Sequence, residues 1–304
     1  MSVTVVGSIA LDSIRTPRGE VEDILGGTAL HFSNSASVLS EINIVGVVGN
    51  DFPKEGFEFF HAKNVDVEGI QVIDGGKTFR WKGYYEKDMA QAITLDTQLN
   101  VFETFQPKVP EKYRQSDFLF LGNIDPELQH SVLTQVNGCK AVVLDTMNFW
   151  IDSRRDALMK VIKQVDVIVL NDQEIRDLMG EDNIIKAGNA LLNMGPKFVV
   201  VKKGEHGAAL FGPEGEYFTL PAYPIVELFD PTGAGDTFAG GLVSYLDMKG
   251  KLSFENLKRA LCYAIVVSSF QVEHFGVKGL EAVTYKDIKE RYKQYAKYAQ
   301  LPDI

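Results

Sequence analysis

Five short aliphatic runs recur along the chain with helix-length stretches between them: Val3 to Val6, Asp117 to Leu121, Ala141 to Leu144, Val167 to Leu170 and Lys197 to Val201. Each is apolar at nearly every position rather than at alternate ones, so both faces must be covered. Strands buried on two sides and separated by helices build a parallel sheet with helices packed on either side. The expected fold class is therefore α/β, a doubly wound, mostly parallel sheet flanked by helices. At 304 residues, a single domain over 1–304 suffices. Ligands of such sheets sit outside the carboxyl ends of the strands. Polar residues follow the runs at those ends: Ser8 and Asp12, Asn123, Asp145, Asn171, and Lys203 with Gly204.

Charge and inventory narrow the function. With 41 acidic and 31 basic residues the net charge is −10, which argues against nucleic acid as a partner. No apolar stretch approaches the roughly 20 residues that cross a bilayer. The start, Met-Ser-Val-Thr-Val-Val-Gly, reads as a strand rather than a signal peptide. Cys139 and Cys262 each lie in an apolar segment and are expected to be reduced core thiols. These features predict a cytoplasmic protein with no membrane partner. The chain contains no P-loop, no Gly-x-Gly-x-x-Gly after its first strand, no zinc spacing among its five histidines and no Gly-x-Ser-x-Gly elbow, which removes the chemistries those motifs carry.

Residues 230–241 read Asp-Pro-Thr-Gly-Ala-Gly-Asp-Thr-Phe-Ala-Gly-Gly, with Phe238, Leu242, Tyr245 and Leu246 at helical spacing. A helix that begins there presents unpaired amides and about half a positive charge, which suits phosphate. Asp236 would stand in the first turn, positioned to take a proton from whatever attacks that phosphate. A short Gly-x-Gly-Asp can equally be a turn ending in a helix cap. The longer string, however, resembles at nearly every position the C-terminal signature of the ribokinase-like carbohydrate kinases, the PfkB family. The resemblance implies that Gly233, Ala234 and Gly235 form an anion hole and that Asp236 is the catalytic base. It also implies ATP as donor and Mg2+ as cofactor.

The likeness extends from Gly7 to Gly276. Gly26-Gly27 opens a helix, where the family has a glycine pair followed by an Asn that contacts a substrate hydroxyl. His31 stands at that position here, a departure, with Asn34 one turn later as a partial substitute. Gly46, Gly49, Asp51 and Gly56 match the family's continuation and are read as turn residues. Asp12 is either a turn former or, as the resemblance implies, a ligand for two acceptor hydroxyls. Asn171 and Glu174 match a motif that organises magnesium, Glu174 acting through water; the same residues would also cap a helix. Lys203, Gly204 and Gly207 match the loop along the nucleotide, with Lys202 read as solvated. His274 and Gly276 fall in the segment that encloses adenine, and Asp145 and Asn148 beside the nucleotide phosphates. Asp230 and Thr232 fall where relatives ligate a monovalent cation such as K+.

The family carries a small β-sheet lid, which residues 12–26, polar and irregular, and 78–95, partly alternating and aromatic, resemble. A lid excludes water that would compete as acceptor. Arg80, Trp81, Lys82 and Tyr84 lie on it. Its cations are either snorkelling surface residues or, with Arg80 facing the site, ligands for a phosphate already on the acceptor. Phe32, Phe79 or Trp81 could instead form a slot for a nucleobase. Thr284 and Asp287 predict a capping box, with Tyr285, Ile288, Tyr292 and Tyr295 as a packing stripe.

The expected activity is ATP-dependent phosphorylation of a hydroxymethyl group on a small sugar or polyol. A nucleoside kinase, a phosphosugar kinase and an inactive nucleotide-binding regulator are the alternatives. An exposed aromatic lid suggests a homodimer through it.

Overall fold

The computed structural model describes residues 2–300, so Met1 and residues 301–304 of the expected domain lie outside the described residues. Thirteen strands are present among them: β1 Ser2–Val6, β2 Ala10–Thr16, β3 Gly19–Gly26, β4 Glu41–Gly49, β5 Val65–Ile73, β6 Phe79–Tyr85, β7 Ala92–Gln98, β8 Phe118–Leu121, β9 Ala141–Asp145, β10 Val167–Asn171, β11 Phe198–Lys202, β12 Ala208–Phe211 and β13 Tyr217–Leu220. Nine form one sheet in the order β13-β12-β11-β10-β9-β8-β1-β4-β5. Its strands from β5 to β11 run parallel, and β12 and β13 extend it antiparallel.

The five aliphatic runs become β1, β8, β9, β10 and β11, and alternation within each fills two apolar layers. Val3 and Val5, Ile42 and Ile44, and Val167 and Val169 face one layer, with the helices Thr28–Ala36, Ala234–Lys249 and Phe254–Gln271. Val6, Val45, Ile168 and Leu170 face the other, with the helices Arg155–Ile162, Asp172–Met179 and Ile184–Leu192. Two covered faces explain why these strands carry no polar alternation.

From β1 the chain builds outward through β4 and β5, then returns to β8 on the other side of β1. That reversal opens a crevice at the carboxyl ends of β1 and β8, where doubly wound sheets bind ligands. Gly7 and Gly122 line it, and a Cβ on either would press on the Thr28 methyl.

Two sequence expectations need correction. Residues 12–26 are not irregular: β2 and β3 form an antiparallel hairpin with a bulge in β3 at Glu22 and Asp23, opposite Ser13, and β2 pairs in parallel with β6. The result is a separate four-stranded sheet, β3-β2-β6-β7. Gly46 lies inside β4 and Gly56 in the helix Lys54–Ala62, neither in a turn, whereas Gly49 ends β4 and its carbonyl accepts from Phe52 N–H at 3.2 Å in the turn that follows. A Cβ at Gly46 would meet Ile9 Cδ1 at 2.8 Å, and one at Gly49 would overlap the Gly76 carbonyl. Close approach, not turning, requires glycine there.

The C-terminal helix Tyr285–Tyr298 starts on the expected Thr284–Asp287 capping box. Ile288 and Tyr295 bury, while Tyr285 and Tyr292 stay exposed. Cys139 and Cys262 are free thiols, and among the described residues no helix is long and apolar enough to cross a membrane.

Candidate active site

The signature segment closes over the crevice. Gly233 adopts a left-handed φ of 72° and caps the helix Ala234–Lys249. A side chain there would strain the turn and overlap the His31 ring. Thr237 N–H donates to Gly233 O at 2.8 Å, and Ala234 N–H to Pro231 O at 3.1 Å. The Ala234 amide is thus engaged in the turn. In a helix's first turn, amides otherwise lack intrahelical acceptors, which leaves those around Gly235 and Asp236 facing the crevice. Asp230, fully buried, staples the loop: Oδ1 accepts from Thr232 N–H at 2.9 Å and Oδ2 from Gly276 N–H at 3.0 Å.

Four charged side chains converge on that turn. Burial first, then the charge of Asp145, pushes the Asp236 carboxyl up to about 7, against the pull of Lys202 and of the Thr28 hydroxyl. Glu174 is likewise raised to about 7 by burial, Lys202 opposing. Asp145 at the end of β9 is raised by burial and drawn back by Lys202; its Oδ1 accepts from Thr146 N–H at 2.9 Å. Lys202 at the end of β11 holds Nζ 3.5 Å from both Asp145 oxygens, its side chain only 18% exposed. Burial opposes its charge, but Asp145, Glu174 and Asp236 together outweigh burial and raise its pKa.

Lys202 was missed in the sequence, where it reads as solvated. Lys203, the expected contact, is half-buried and turned to the other side of the strand, with Nζ 3.3 Å from Thr219 Oγ1. Successive strand residues face opposite sides. Lys202 shares its parity with Phe198 and Val200, which point into the layer containing the signature helix. That parity was the available signal.

Asn171 and Glu174 form a reciprocal capping box: Glu174 N–H donates to Asn171 Oδ1 at 2.7 Å, and Asn171 N–H to Glu174 Oε2 at 2.6 Å. The other Glu174 oxygen is free of the cap. Among the described residues no group of three acidic, histidine or cysteine side chains could hold a metal ion. A hard cation beside Glu174 must therefore draw most of its ligands from water and bound phosphate, which is how magnesium prefers to bind.

The small sheet supplies the opposite wall. Asp12 is buried and lifted to about 7, chiefly by burial and further by Asp230 and Asp236, with the Gly27 amide pulling it down. Gly26 gives it room, since a Cβ there would overlap Asp12 Oδ2. Gly27, with φ 90°, turns the chain into the helix Thr28–Ala36, and Ser8 Oγ accepts from Thr28 N–H at 3.1 Å. Register sets Trp81 beside Asp12 and Arg80 beside Leu11, so Trp81 shares the Asp12 face and Arg80 does not. Tyr85, two alternations beyond Trp81, brings its hydroxyl 3.1 Å from Thr232 Oγ1. Neither this contact nor the closeness of Thr28 to Asp236 was foreseen, because both join segments remote in sequence.

Several expected contacts are not assembled. Arg80 is committed away from the crevice, to Asp51 at 2.7 Å and Asp23 at 3.4 Å. Against some burial, the Arg80 guanidinium first, and then Thr78 N–H and Oγ1, which also donate to Asp51, hold its carboxyl below the usual range. Lys82 reaches Glu22 at 3.5 Å. His31 is only 2% exposed, both ring nitrogens unpartnered, and burial lowers it to about 4. Its neutral ring lies behind Gly233 rather than in open space. Asn34 is buried and donates to Val277 O at 2.9 Å, so it offers no substitute. Asn148 bonds Asp177 at 3.2 Å, on the surface.

On the remaining side, Gly204 and Gly207 take positive φ of 54° and 87°, and the space over Gly204 is open. His274 stacks on Phe229 at 6.5 Å, and Gly276 adopts φ 58° beside Ile24.

The family model for pfkB family carbohydrate kinases matches residues 2–282. Cytidine kinase of Thermococcus kodakarensis is 29% identical over 251 residues, spanning 80% of this chain and 88% of that protein. The Methanocaldococcus jannaschii nucleoside kinase superposes with a TM-score of 0.77 at 19% identity, over 96% of this chain and 98% of that one. An Escherichia coli candidate ribokinase II in complex with ATP and magnesium gives 0.80 at 21%, over 96% and 99%. The fold is thus the ribokinase fold, and the chain belongs to the pfkB family of carbohydrate kinases.

Proposed function

We propose that the protein transfers the γ-phosphoryl group of ATP to a hydroxymethyl group of a small, unphosphorylated sugar, polyol or nucleoside. The observation that carries this reading is Asp236 in the first turn of the signature helix, close enough to Asp12 for its charge to help raise that carboxyl. Asp12 accepts hydrogen bonds from two acceptor hydroxyls, and Gly26 and Gly27 let the acceptor approach the backbone. Asp236 takes the hydroxyl proton as the acceptor oxygen attacks. The amides of the Gly233–Gly235 turn, less that of Ala234, meet the developing charge. Glu174 and Asn171 would hold magnesium through water, and the ion would supply neutralisation of phosphate charge.

Lys203, Gly204 and Gly207 border the nucleotide, His274 and Gly276 its adenine, and Thr232 its phosphates. Asp230 would serve a monovalent cation beside the turn. A helix N-terminus favours ionised Asp236, whereas its burial opposes ionisation; the net upward displacement makes it a better base.

Commitment of Arg80 and Lys82 to acidic neighbours argues against a phosphosugar acceptor. Trp81 on the Asp12 face favours a nucleoside, whose base could stack there. The four-stranded sheet acts as the lid, and its exposed edge β7, with Leu95 56% exposed, is the surface through which two copies would pair in the cytoplasm. Asp236→Asn tests the assignment: turnover with the preferred alcohol should vanish while ATP still binds. Comparable turnover in that variant refutes it.

A further inference from the structure

Lys202 is placed as though for a ligand the protein alone does not supply. Its Nζ lies 3.1 Å from where a Gly235 Cβ would project, so the ammonium sits directly over the amide turn. The two Asp145 oxygens are each 3.5 Å away. A lysine committed to one carboxylate closes to about 2.7–2.9 Å. This one is drawn by Asp145, Glu174 and Asp236 at once, and its donors are only loosely engaged. If Lys202 served merely to neutralise Asp145, nothing would require its head group to lie against Gly235.

Resting on the kinase reading above, we propose that Lys202 is a catalytic residue whose ammonium binds the non-bridging oxygens of the transferring phosphoryl group. The bond between acceptor oxygen and phosphorus forms as the bond to the β-phosphate oxygen breaks. The hydroxyl proton passes to Asp236, ADP leaves with the electron pair, and Lys202 keeps its proton throughout. Asp145 holds the lysine ready without closing on it, and the Gly235 position has no side chain to block its reach.

The test compares ADP with the non-hydrolysable β,γ-imido analogue of ATP, both with magnesium, by titration calorimetry on wild type and Lys202→Met. A contact to the terminal phosphoryl predicts ADP affinity within about twofold of wild type and analogue affinity at least about tenfold weaker. With the acceptor preferred by the wild type, kcat should fall at least about 100-fold while the acceptor KM stays near the wild-type value. Lys202→Arg should recover part of both losses. Equal weakening of the two nucleotides, or unchanged affinity and turnover, overturns the inference and leaves Lys202 as a partner of Asp145 alone. Should Lys202→Met fail to fold, Lys202→Gln reports the same ADP-to-analogue difference, with Lys202→Arg as the partial rescue. A wild-type chain that binds neither nucleotide refutes the kinase reading itself; one that binds both, with a Lys202→Met variant that distinguishes neither, refutes only this proposal.

Discussion

Replacing the base should make the protein more stable while making it inactive, and the gain should depend on pH. Burial holds Asp236 near 7 against an ordinary 3.8, so the folded chain binds this proton more tightly than the unfolded chain. The sign follows by linkage: the stabilisation is complete below about 4 and is lost as pH rises through about 7. The full gap corresponds to at most about 4 kcal/mol. Access from the crevice and relaxation around Lys202 reduce it, and about 2 kcal/mol is a realistic figure. Asn resembles the protonated acid and never ionises, so Asp236→Asn escapes the loss. With unfolding entropy near 2.1 cal/mol/K per residue, about 2 kcal/mol raises Tm by about 3 °C for a chain of this size. Scanning calorimetry of both proteins from pH 4 to 8 should show a small Tm difference at pH 4 that widens to about 3 °C in favour of Asn by pH 8. A difference that stays flat, or a variant less stable at pH 8, would mean that Asp236 is well solvated or better paired than its surroundings indicate.

Gly26→Ala should push aside Asp12, whose carboxylate occupies the space a methyl would need; acceptor KM should rise at least about tenfold with ATP affinity unchanged, as steady-state kinetics would show. Arg80→Ala should leave kcat/KM for an unphosphorylated acceptor within about threefold and cost about 1 kcal/mol of stability through the loss of its Asp51 partner. A collapse of activity with folding intact would put that guanidinium in the acceptor pocket after all.

Most of the central sheet was legible because its strands are apolar on both faces. Strand β4 was not, since Gly46 and Gly49 look locally like turn formers. Only the approach of Ile9 and of the Gly76 carbonyl, from elsewhere in the chain, explains them. The signature loop was readable as a string, but the string does not say that Pro231 engages the Ala234 amide. Lys202 and Lys203 are adjacent and chemically identical; which one enters the crevice depends on the side of the sheet the signature helix covers. Arg80 posed the same question on a thin sheet with no buried face on one side to decide it. Its answer lay with Asp51 and Asp23, distant in sequence. His31 shows the converse: the departure from the family pattern was visible, yet its enclosure behind Gly233 was not.

The hydroxyl contact between Tyr85 and Thr232 fastens the wall that carries Asp12 to the loop that shapes the amide turn. Such a tie makes the two halves of the crevice report to each other, by equal free energies in both directions. An alcohol that resettles the wall would tune the grip on the nucleotide, and a nucleotide would prime the wall for its alcohol. Idle hydrolysis by water, which touches only one half, would gain nothing from that exchange.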